Sequence, residues 1–562
     1  MKNKKHYDTT PVWQQYEDGK EYKRRIQLYS TVRENERFFR GDQWRGVVSN
    51  GLPTPVFNIV SRIINYLVNA VMAYQIRVNY HDDSLPFLHQ SADTDKILSY
   101  MDKLNRFTDY RFKRYNIDTT IKNGVFDAAI SGDGVFFTYW DPDVDAGVPY
   151  KGDFRTITVD NVNLFVADMN KSDIQSQEYV ILAGRESVNK LRKEALLYGA
   201  SEEDVQKIVP DSDTDDQSGD FARYENQDVH VGKATFLIKF YRDENGHVVW
   251  EKSTQYCLIR KAETTMRLFP VAKFSWERVK NAFHGSSPVS GLIQNQKYIN
   301  KAYAMAMKHM TDTAFSKVIY DKKLIPEWSN EVGQAIGVIS GGDIKGVAAV
   351  LETGEMQDNF LEIIEQVIRH TKEMSGATEI ALGEADPTNT SAILALREAA
   401  ELPLGIIRSN INRCIEDLAD VWMEMMCEHY VDGRPICYID GDQNFVDSID
   451  FARLRRETLR ASVDIGTSSR FSQTALINTL DNLLREEKIT FVQYLERLPE
   501  GIITNKAALL NEVRSNAESS CPAVGVTALG HPLTPTPSTP HGVATPSTCG
   551  RGIKQQEDLP DE

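Results

Sequence analysis

Three lysines, Lys297, Lys301 and Lys308, stand in one stretch free of helix breakers. At about 100° per residue they fall within roughly 40° of one another on a helix. Leu292, Ile299, Tyr303, Ala306 and Met310 gather on the opposite side, so the spacing predicts an amphipathic helix with a narrow cationic line. Ammonium groups in a line can do one kind of chemistry: they attract phosphates, weakly, without sequence preference and with strong salt dependence. A solvated surface face is the plain alternative. Between Pro288 and Pro326 there are six lysines and two aspartates, inside a chain whose 64 Lys plus Arg and 80 Asp plus Glu leave a net charge of −16. A chain this acidic is not built to grip nucleic acid over its whole surface, so any such contact must be local.

The residues of enzymatic chemistry are not arranged to work. There is no G-x-x-x-x-G-K-[ST] phosphate loop; Gly232-Lys233 lacks the upstream glycine. Gly285-Ser286-Ser287-Pro288 fails as a nucleophile elbow at the fifth position. His81-Asp82-Asp83 reads as a polar turn after Tyr80 rather than a metal site, and Asp141 and Asp143 flank Pro142 as a turn. Cys427 and His429 lie at a two-residue helical offset and point to different faces. The expectation is no enzyme, no cofactor and no metal. Six cysteines without a C-x-x-C pair suit a reducing compartment. The N-terminus lacks the apolar core of a secretory signal, and the apolar stretch Ile63 to Tyr74 is too short to span a bilayer. The reading is therefore a soluble intracellular protein or part of an assembly built in a cytoplasm, with no membrane partner.

The elements that must position the lysine line alternate in texture. Glu17 to Phe39, Asn58 to Tyr74 and Asp93 to Ile130 carry helical periodicity, the last ending at Ser131-Gly132-Asp133-Gly134. Strands are expected at Val135–Trp140, Phe154–Val159, Leu164–Ala167, Ala234–Arg242, Val248–Trp250, Gln255–Lys261 and Val271–Phe274, with a hairpin turn at Asn245-Gly246. Glu186 to Tyr198 reads as a short helix, and the acidic run Ser201–Asp220 as a solvated loop. Ser287-Pro288 starts the lysine helix, with Ser as N-cap and Pro at the first helical position. A strand–helix–strand unit follows at Lys317–Tyr320, Glu327–Ala335 and Ile344–Leu351. Asp358 then caps a helix that ends at Gly376, and after a loop a helix of about 40 residues, on the order of 60 Å long, runs to Tyr430. Pro403, beside Gly405, should kink it. Strands near Ile436–Ile439 and Val463–Ile465 precede three short helices, Ser472–Glu487, Thr490–Arg497 and Asn505–Arg514. The Pro, Thr, Ser and Gly-rich tail from Cys521 is expected to be disordered.

This order of elements resembles the tailed-bacteriophage portal, or head-to-tail connector, family. Phe38-Phe39-Arg40-Gly41-Asp42-Gln43-Trp44 with Pro55-Val56-Phe57-Asn58 resembles its N-terminal signature. His284-Gly285-Ser286-Ser287-Pro288 leading into Tyr298-Ile299-Asn300-Lys301 resembles the entry to its first stem helix, and Leu382-Gly383-Glu384 to Asn389-Thr390-Ser391-Ala392 its tunnel loop and spine start. The resemblance implies an α+β, portal-like subunit of a ring, usually a dodecamer. It implies an N-terminal arm and wing over 1–287, stem helix 1 over 288–313, a clip over 314–356 and stem helix 2 over 357–376. A tunnel loop over 377–390, a spine helix with the rest of the wing over 391–466, crown helices over 467–515 and a tail over 516–562 complete it. It further implies a channel for double-stranded DNA in packaging and ejection, at one capsid vertex of a virion assembled in the host cytoplasm. The implied partners are the terminase large subunit, the major capsid or scaffolding protein, and a head–tail adaptor. Candidate residues are Lys297, Lys301 and Lys308 for the DNA channel, and Glu379, Leu382, Glu384, Asp386, Thr388 and Asn389 for the tunnel loop. Lys317, Tyr320, Lys322, Lys323 and Trp328 are candidates for clip docking, and Pro403 and Gly405 for the spine kink. Two other classes compete: a different virion adaptor, and a terminase-like DNA-processing enzyme, which would need the phosphate loop or carboxylate cluster that is missing.

Overall fold

The structure is a computed structural model that describes residues 9–74, 76–83, 92–145, 150–211, 232–314, 317–325, 327, 339, 348–351, 359–377, 402–430, 434–440, 443–451, 459–465, 470–486, 488–498 and scattered positions over 503–513. It is a mixed α+β fold. The chain divides into two compact units, residues 1–479 and 480–562.

In the first unit, α1 (Pro11–Arg25) and α2 (Leu28–Arg40) replace the single expected helix over 17–39. The break falls at Gln27, which adopts a left-handed conformation at φ 58°. Then come α3 (Ile59–Val71), β1 (Ile76–Asp82), α4 (Ala92–Arg114) and α5 (Ile117–Ser131). The expected polar turn at His81 and Asp82 is instead the end of β1, which pairs antiparallel with a strand almost 400 residues later. Two sheets follow. One contains β2 (Asp133–Asp145) between β3 (Lys151–Thr158) and a later strand; the expected turn at Asp141 and Asp143 lies inside β2, at a shift in its register with β3. The other is a meander of β4 (Leu164–Val166), β5 (Tyr179–Ser187), β6 (Lys233–Arg242), β7 (Val248–Ser253) and β8 (Leu258–Glu263). Between β5 and β6 lie α6 (Val188–Leu197) and α7 (Glu202–Gln206). The start of the expected acidic loop is thus a short helix capped by the Ser201 hydroxyl, which accepts the Asp204 N–H. Positions 212–231 lie outside the described residues.

β9 (Val271–Ser275) completes the β3–β2–β9 sheet and leads into α8 (Pro288–Ala314). β10 (Lys317–Tyr320) pairs antiparallel with β11 (Ala348–Leu351), and α9 (Phe360–Met374) returns beside α8. The N-cap of α9 is Asn359, with no side-chain cap bond, and Gly376 ends the helix region at φ 75°. The expected helix over 327–335 and the expected cap Asp358 lie outside the described residues. α10 (Gly405–His429) is buried nearly all round through Ile411, Cys414, Ile415, Leu418, Trp422 and Met426, and forms the centre of the main core. Pro403 sits in a 3₁₀ turn, Leu402–Leu404, that feeds directly into α10; residues 391–401 are outside the described set. β12 (Pro435–Asp440) and β13 (Gln443–Ser448) form a hairpin, and β14 (Leu459–Ile465) is the distant partner of β1.

α11 (Arg470–Arg485) runs across the boundary between the units. The second unit holds α12 (Phe491–Arg497), which opens with a reciprocal capping box between Thr490 and Gln493. Within that unit the Tyr494 hydroxyl donates to Asp481 at 2.6 Å, and Lys506 Nζ donates to the Leu498 carbonyl at 2.6 Å. The C-terminal tail from Cys521 is outside the described residues.

Candidate functional site

Sequence motifs far apart in the chain meet around α8. The Ser287 hydroxyl accepts the Val289 N–H at 3.1 Å and donates to the Ala129 carbonyl at 2.7 Å, so the cap that starts α8 also ties it to α5. Just before it, Gly285 packs against Gly132. A Cβ on Gly132, whose φ is +97°, would lie 2.7 Å from the Gly285 carbonyl oxygen, and one on Gly285 would lie 2.5 Å from the Ser275 Cβ. Only glycine fits this crossing.

Asp133 lies at the centre of it, fully buried. Its Oδ1 accepts the Ser275 hydroxyl at 2.7 Å and the Gly285 N–H at 2.9 Å, and lies 3.1 Å from Lys273 Nζ. Its Oδ2 receives His284 Nδ1 at 2.8 Å and Asn161 Nδ2 at 3.3 Å. Burial alone would raise this carboxyl. The Lys273 ammonium and the hydrogen bonds from His284 and Ser275 outweigh burial and hold it well below the usual carboxylate range. Burial pushes His284 down, toward the neutral imidazole, so the cation facing Asp133 is Lys273. Lys273 also donates to the Phe283 carbonyl.

The second anchor is a chain of buried amides. Gln296 Oε1 accepts the N–H groups of Ile59 and Val60 at 3.0 and 3.3 Å, capping the N-terminus of α3 from another helix. Its Nε2 donates to the Phe57 carbonyl at 2.7 Å and to Asn300 Oδ1 at 2.9 Å. Asn300 Nδ2 donates to Gln43 Oε1 at 2.6 Å; Gln43 Nε2 reaches the Phe38 carbonyl and Asn58 Oδ1, and Asn58 Nδ2 the Phe39 carbonyl. The stretches 38–44 and 55–58 are thus bonded to one face of α8. Sequence reasoning singled out these stretches but not the amides that join them.

On α8 the three lysines share one side. Lys297 pairs with Glu34 at 2.8 Å and Lys308 with Asp312 at 3.0 Å, while Lys301 is exposed. Leu292, Ile299 and Ala306 are buried opposite them. Met310, expected there too, is 63% exposed because it falls in the last turns, beyond the helices that cover the start of α8. Of the other candidates, Lys317 and Tyr320 bracket β10, and Lys322 and Lys323 are exposed in the turn after it, where Asp321 accepts the Lys323 N–H at 2.8 Å. Trp328 and the loop residues Glu379, Leu382, Glu384, Asp386, Thr388 and Asn389 lie outside the described residues.

A further arrangement escaped the sequence reading. Glu416, Asp420, Glu424 and Glu428 recur every four residues along α10 and accept the backbone N–H groups of Val463, Ala461, Arg267 and Thr265 at 2.9 to 3.2 Å. Four helical residues rise about 6 Å, close to two extended residues at about 6.7 Å, so the row of carboxylates follows β14 at Ala461 and Val463 and the loop between β8 and β9 at Thr265 and Arg267. Burial pushes Asp420 up to about 6. His429 stacks on Trp140 at 4.3 Å, away from the buried Cys427, so no nucleophilic pair forms there. Among the described residues no group of three or more His, Cys, Asp or Glu can hold a metal ion, and no helix is long and apolar enough to cross a membrane.

Glu36 and Asp127 are each pushed up to about 7, chiefly by burial, with the charge of Asp160 adding to both. An acid raised in the folded state favours folding below its ordinary range, and that contribution is lost as pH rises through about 7. Asp127→Asn removes the cost. It is expected to stabilise the protein by about 1–3 kcal/mol at pH 8, by less than half of that at pH 5, and to be nearly neutral below pH 4, measured by urea melts across this range.

The fold and this site define a mixed α+β subunit in which α8 is anchored to α2, α3 and α5 and pairs with α9, with no metal-holding cluster among the described residues. A family model described as Phage P22-like portal protein matches residues 166–450, just over half of the chain, and the chain belongs to that family. No curated protein matches the chain. The match spans the α8 entry and the loop before α10; the stretches 38–44 and 55–58 lie before it. The protein is thus a phage portal protein, a structural component of the virion that forms an oligomeric ring, serves as the channel for packaged DNA, and meets the capsid and the terminase.

Proposed function

We propose that twelve copies form the ring at one capsid vertex, that α8 and α9 are its stem, and that the β10–β11 region is the clip. In this reading the clip docks the terminase large subunit through Tyr320, Lys322 and Lys323, with Lys317 and Trp328 beside them. The outer body meets the major capsid or scaffolding protein, and a head–tail adaptor binds after packaging. The segment 1–287 with 391–466 is the wing and spine, 377–390 the tunnel loop with Glu379, Leu382, Glu384, Asp386, Thr388 and Asn389, and 467–515 the crown. Pro403 and Gly405 set the start of the straight part of the spine. Assembly takes place in the host cytoplasm, and the chain catalyses nothing itself. The observation that carries this reading is the family match over 166–450, which spans α8, β10, β11 and α9.

The lysine line faces the bore and centres the duplex without holding it: the net charge of −16 repels DNA elsewhere, and a sparse cationic line offers few contacts per subunit. Lys301 is the best placed, because Lys297 and Lys308 already answer Glu34 and Asp312. Lys301→Glu should leave the ring intact in negative-stain images and lower the yield of DNA-filled heads at least several-fold. Filled heads at wild-type yield would remove the lysine from the channel. Axial views showing no ring at high concentration with scaffold present would count against the assembly itself.

A further inference from the structure

Consecutive residues of β3, Phe154, Arg155, Thr156 and Ile157, line one cleft of about 330 Å³. Neighbours along a strand point to opposite faces, so a cleft on either face touches every second residue. A cleft lined by an unbroken run lies off the strand's edge. β3 is such an edge: the sheet order is β3–β2–β9, and among the described residues β3 pairs with β2 alone. The Val159 N–H donates to the Val135 carbonyl, so in this antiparallel ladder Ile157 and Arg155 also turn their backbone groups toward β2, opposite Phe137 and Tyr139. Phe154, Thr156 and Thr158 turn theirs away. Arg111 Nη2 meets the Phe154 carbonyl there at 3.1 Å. The N–H and C=O groups of Thr156 and Thr158 have no hydrogen-bond partner among the described residues, which leaves a short stretch of open strand edge beside the cleft.

The back of the cleft is apolar in effect. Phe112, Trp422 and Met426 stand in its far wall, on α4 and α10. The polar groups there are already engaged: Trp422 Nε1 donates to the Thr156 hydroxyl at 2.9 Å, the Tyr80 hydroxyl to the Ala419 carbonyl at 2.8 Å and the Thr108 hydroxyl to the Leu104 carbonyl at 2.8 Å. A polar ligand group would find no partner at this depth, and an apolar one fits. The entrance differs. Arg111, Arg114 and Arg155 line the cleft and no acidic residue does. Arg111 is answered by the buried Asp153. Arg114 donates to the Tyr110 hydroxyl at 2.9 Å, and the side chain of Arg155 is 49% exposed, 3.5 Å from Asp141. Asp141 and Asp118, on the flanking elements, stand outside the lining.

An open edge asks for a main chain, the recess for a bulky apolar side chain and the arginines for carboxylates. In an added strand these demands alternate. The residue turned to the Thr156 face enters the recess beside Trp422, and its two neighbours turn to the opposite face, where Arg155 lies. We propose that β3 and the cleft beside it bind an extended segment of a partner protein as an added strand, one aromatic side chain of that segment being flanked by acidic residues. None of α8, α9, β10 and β11 lines the cleft, so the site is separate from the surfaces assigned above to DNA and the terminase.

The test is fluorescence anisotropy of labelled, capped heptapeptides titrated with the full chain. The peptide T-V-E-W-E-V-T alternates as the site demands and should bind saturably. Serine in place of its tryptophan, or lysine in place of both glutamates, should weaken binding by about tenfold or more. Thr158→Pro removes an outward N–H without touching the ladder to β2, and should weaken the first peptide to a similar extent. Arg155→Glu should exchange the preference, so that the lysine-flanked peptide binds better. A misfolded chain binds neither peptide, and Arg155→Gln, which should level the two, covers that case. Saturable binding by none of the three peptides, equal wild-type affinity for the glutamate- and lysine-flanked forms, or unchanged binding to Thr158→Pro would each overturn the proposal. Native mass spectrometry reads the other occupant: a peptide that breaks up an assembly of the chain as it binds would give the edge to a second copy and strike out the partner.

Discussion

Asp133→Ala is expected to cost about 3–5 kcal/mol and, in a unit of this size, to lower the melting temperature by about 3–5 °C. The carboxylate is fully buried and answers Lys273, His284, Ser275, Asn161 and the Gly285 N–H at once. Truncation leaves a buried ammonium facing an apolar gap, and removing one partner of such a pair costs more than the pair itself contributes. Asp133→Asn keeps the volume but not the charge, and should recover only part of the loss. The acid limb follows from the direction of the shift. A carboxyl held below its ordinary value contributes stability that is present above about pH 4 and is lost as pH falls further. Wild type should therefore lose stability steeply below pH 4, while Asp133→Ala shows a shallower slope there. Equal slopes in the two proteins would show that the stabilising charge lies elsewhere.

The same site marks how far the amino-acid order alone carries. Ser131-Gly132-Asp133-Gly134 reads correctly as the end of a helix, because glycine after a helix is a local signal, and α5 does end at Ser131. Nothing local says that Asp133 is the hub of a buried network whose other members lie about 30 and 150 residues on. The cap at Ser287-Pro288 is legible for the same local reason, and the helix begins there. Strands fare worse where their partners are remote. β1 is missed because its alternation is short and its sheet partner among the described residues, β14, is almost 400 residues away. β5 is missed because a strand buried within the meander is a near-continuous apolar run, Tyr179-Val180-Ile181-Leu182-Ala183, without the period-two pattern of a half-exposed strand. The lysine line is legible as a line, since it depends on helical period alone. That Lys297 is already paired is not, because Glu34 belongs to another helix, whereas the Lys308–Asp312 pair follows from the same helical period. The acidic row on α10 is periodic in the sequence too, yet such a row looks like any solvated face until the backbone it serves, β14 and the loop before β9, is in view.

Gln296→Leu is expected to have the second-largest effect, about 2–4 kcal/mol, and its effect reaches from stability to function. Leucine fills a similar volume, so no large cavity forms. What is lost is the cap on α3: the Val60 N–H and Asn300 Oδ1 lose their partners, and the Ile59 N–H keeps only its contact with the Phe57 carbonyl. Buried groups left in this way carry their full desolvation cost. Gln296→Glu separates the contributions. A carboxylate still accepts both N–H groups at the positive end of α3, but cannot donate to the Phe57 carbonyl or to Asn300. It should fall between wild type and Gln296→Leu. The reporter is Trp44, whose Nε1 donates to the Pro55 carbonyl at 2.7 Å across the loop that these amides hold down. In Gln296→Leu the Trp44 fluorescence should shift toward that of exposed tryptophan, and protease should cut within 45–56 at least tenfold faster, before global unfolding. A variant that melts early but keeps the wild-type cutting pattern would mean that Gln296 does not hold the 45–56 loop in place.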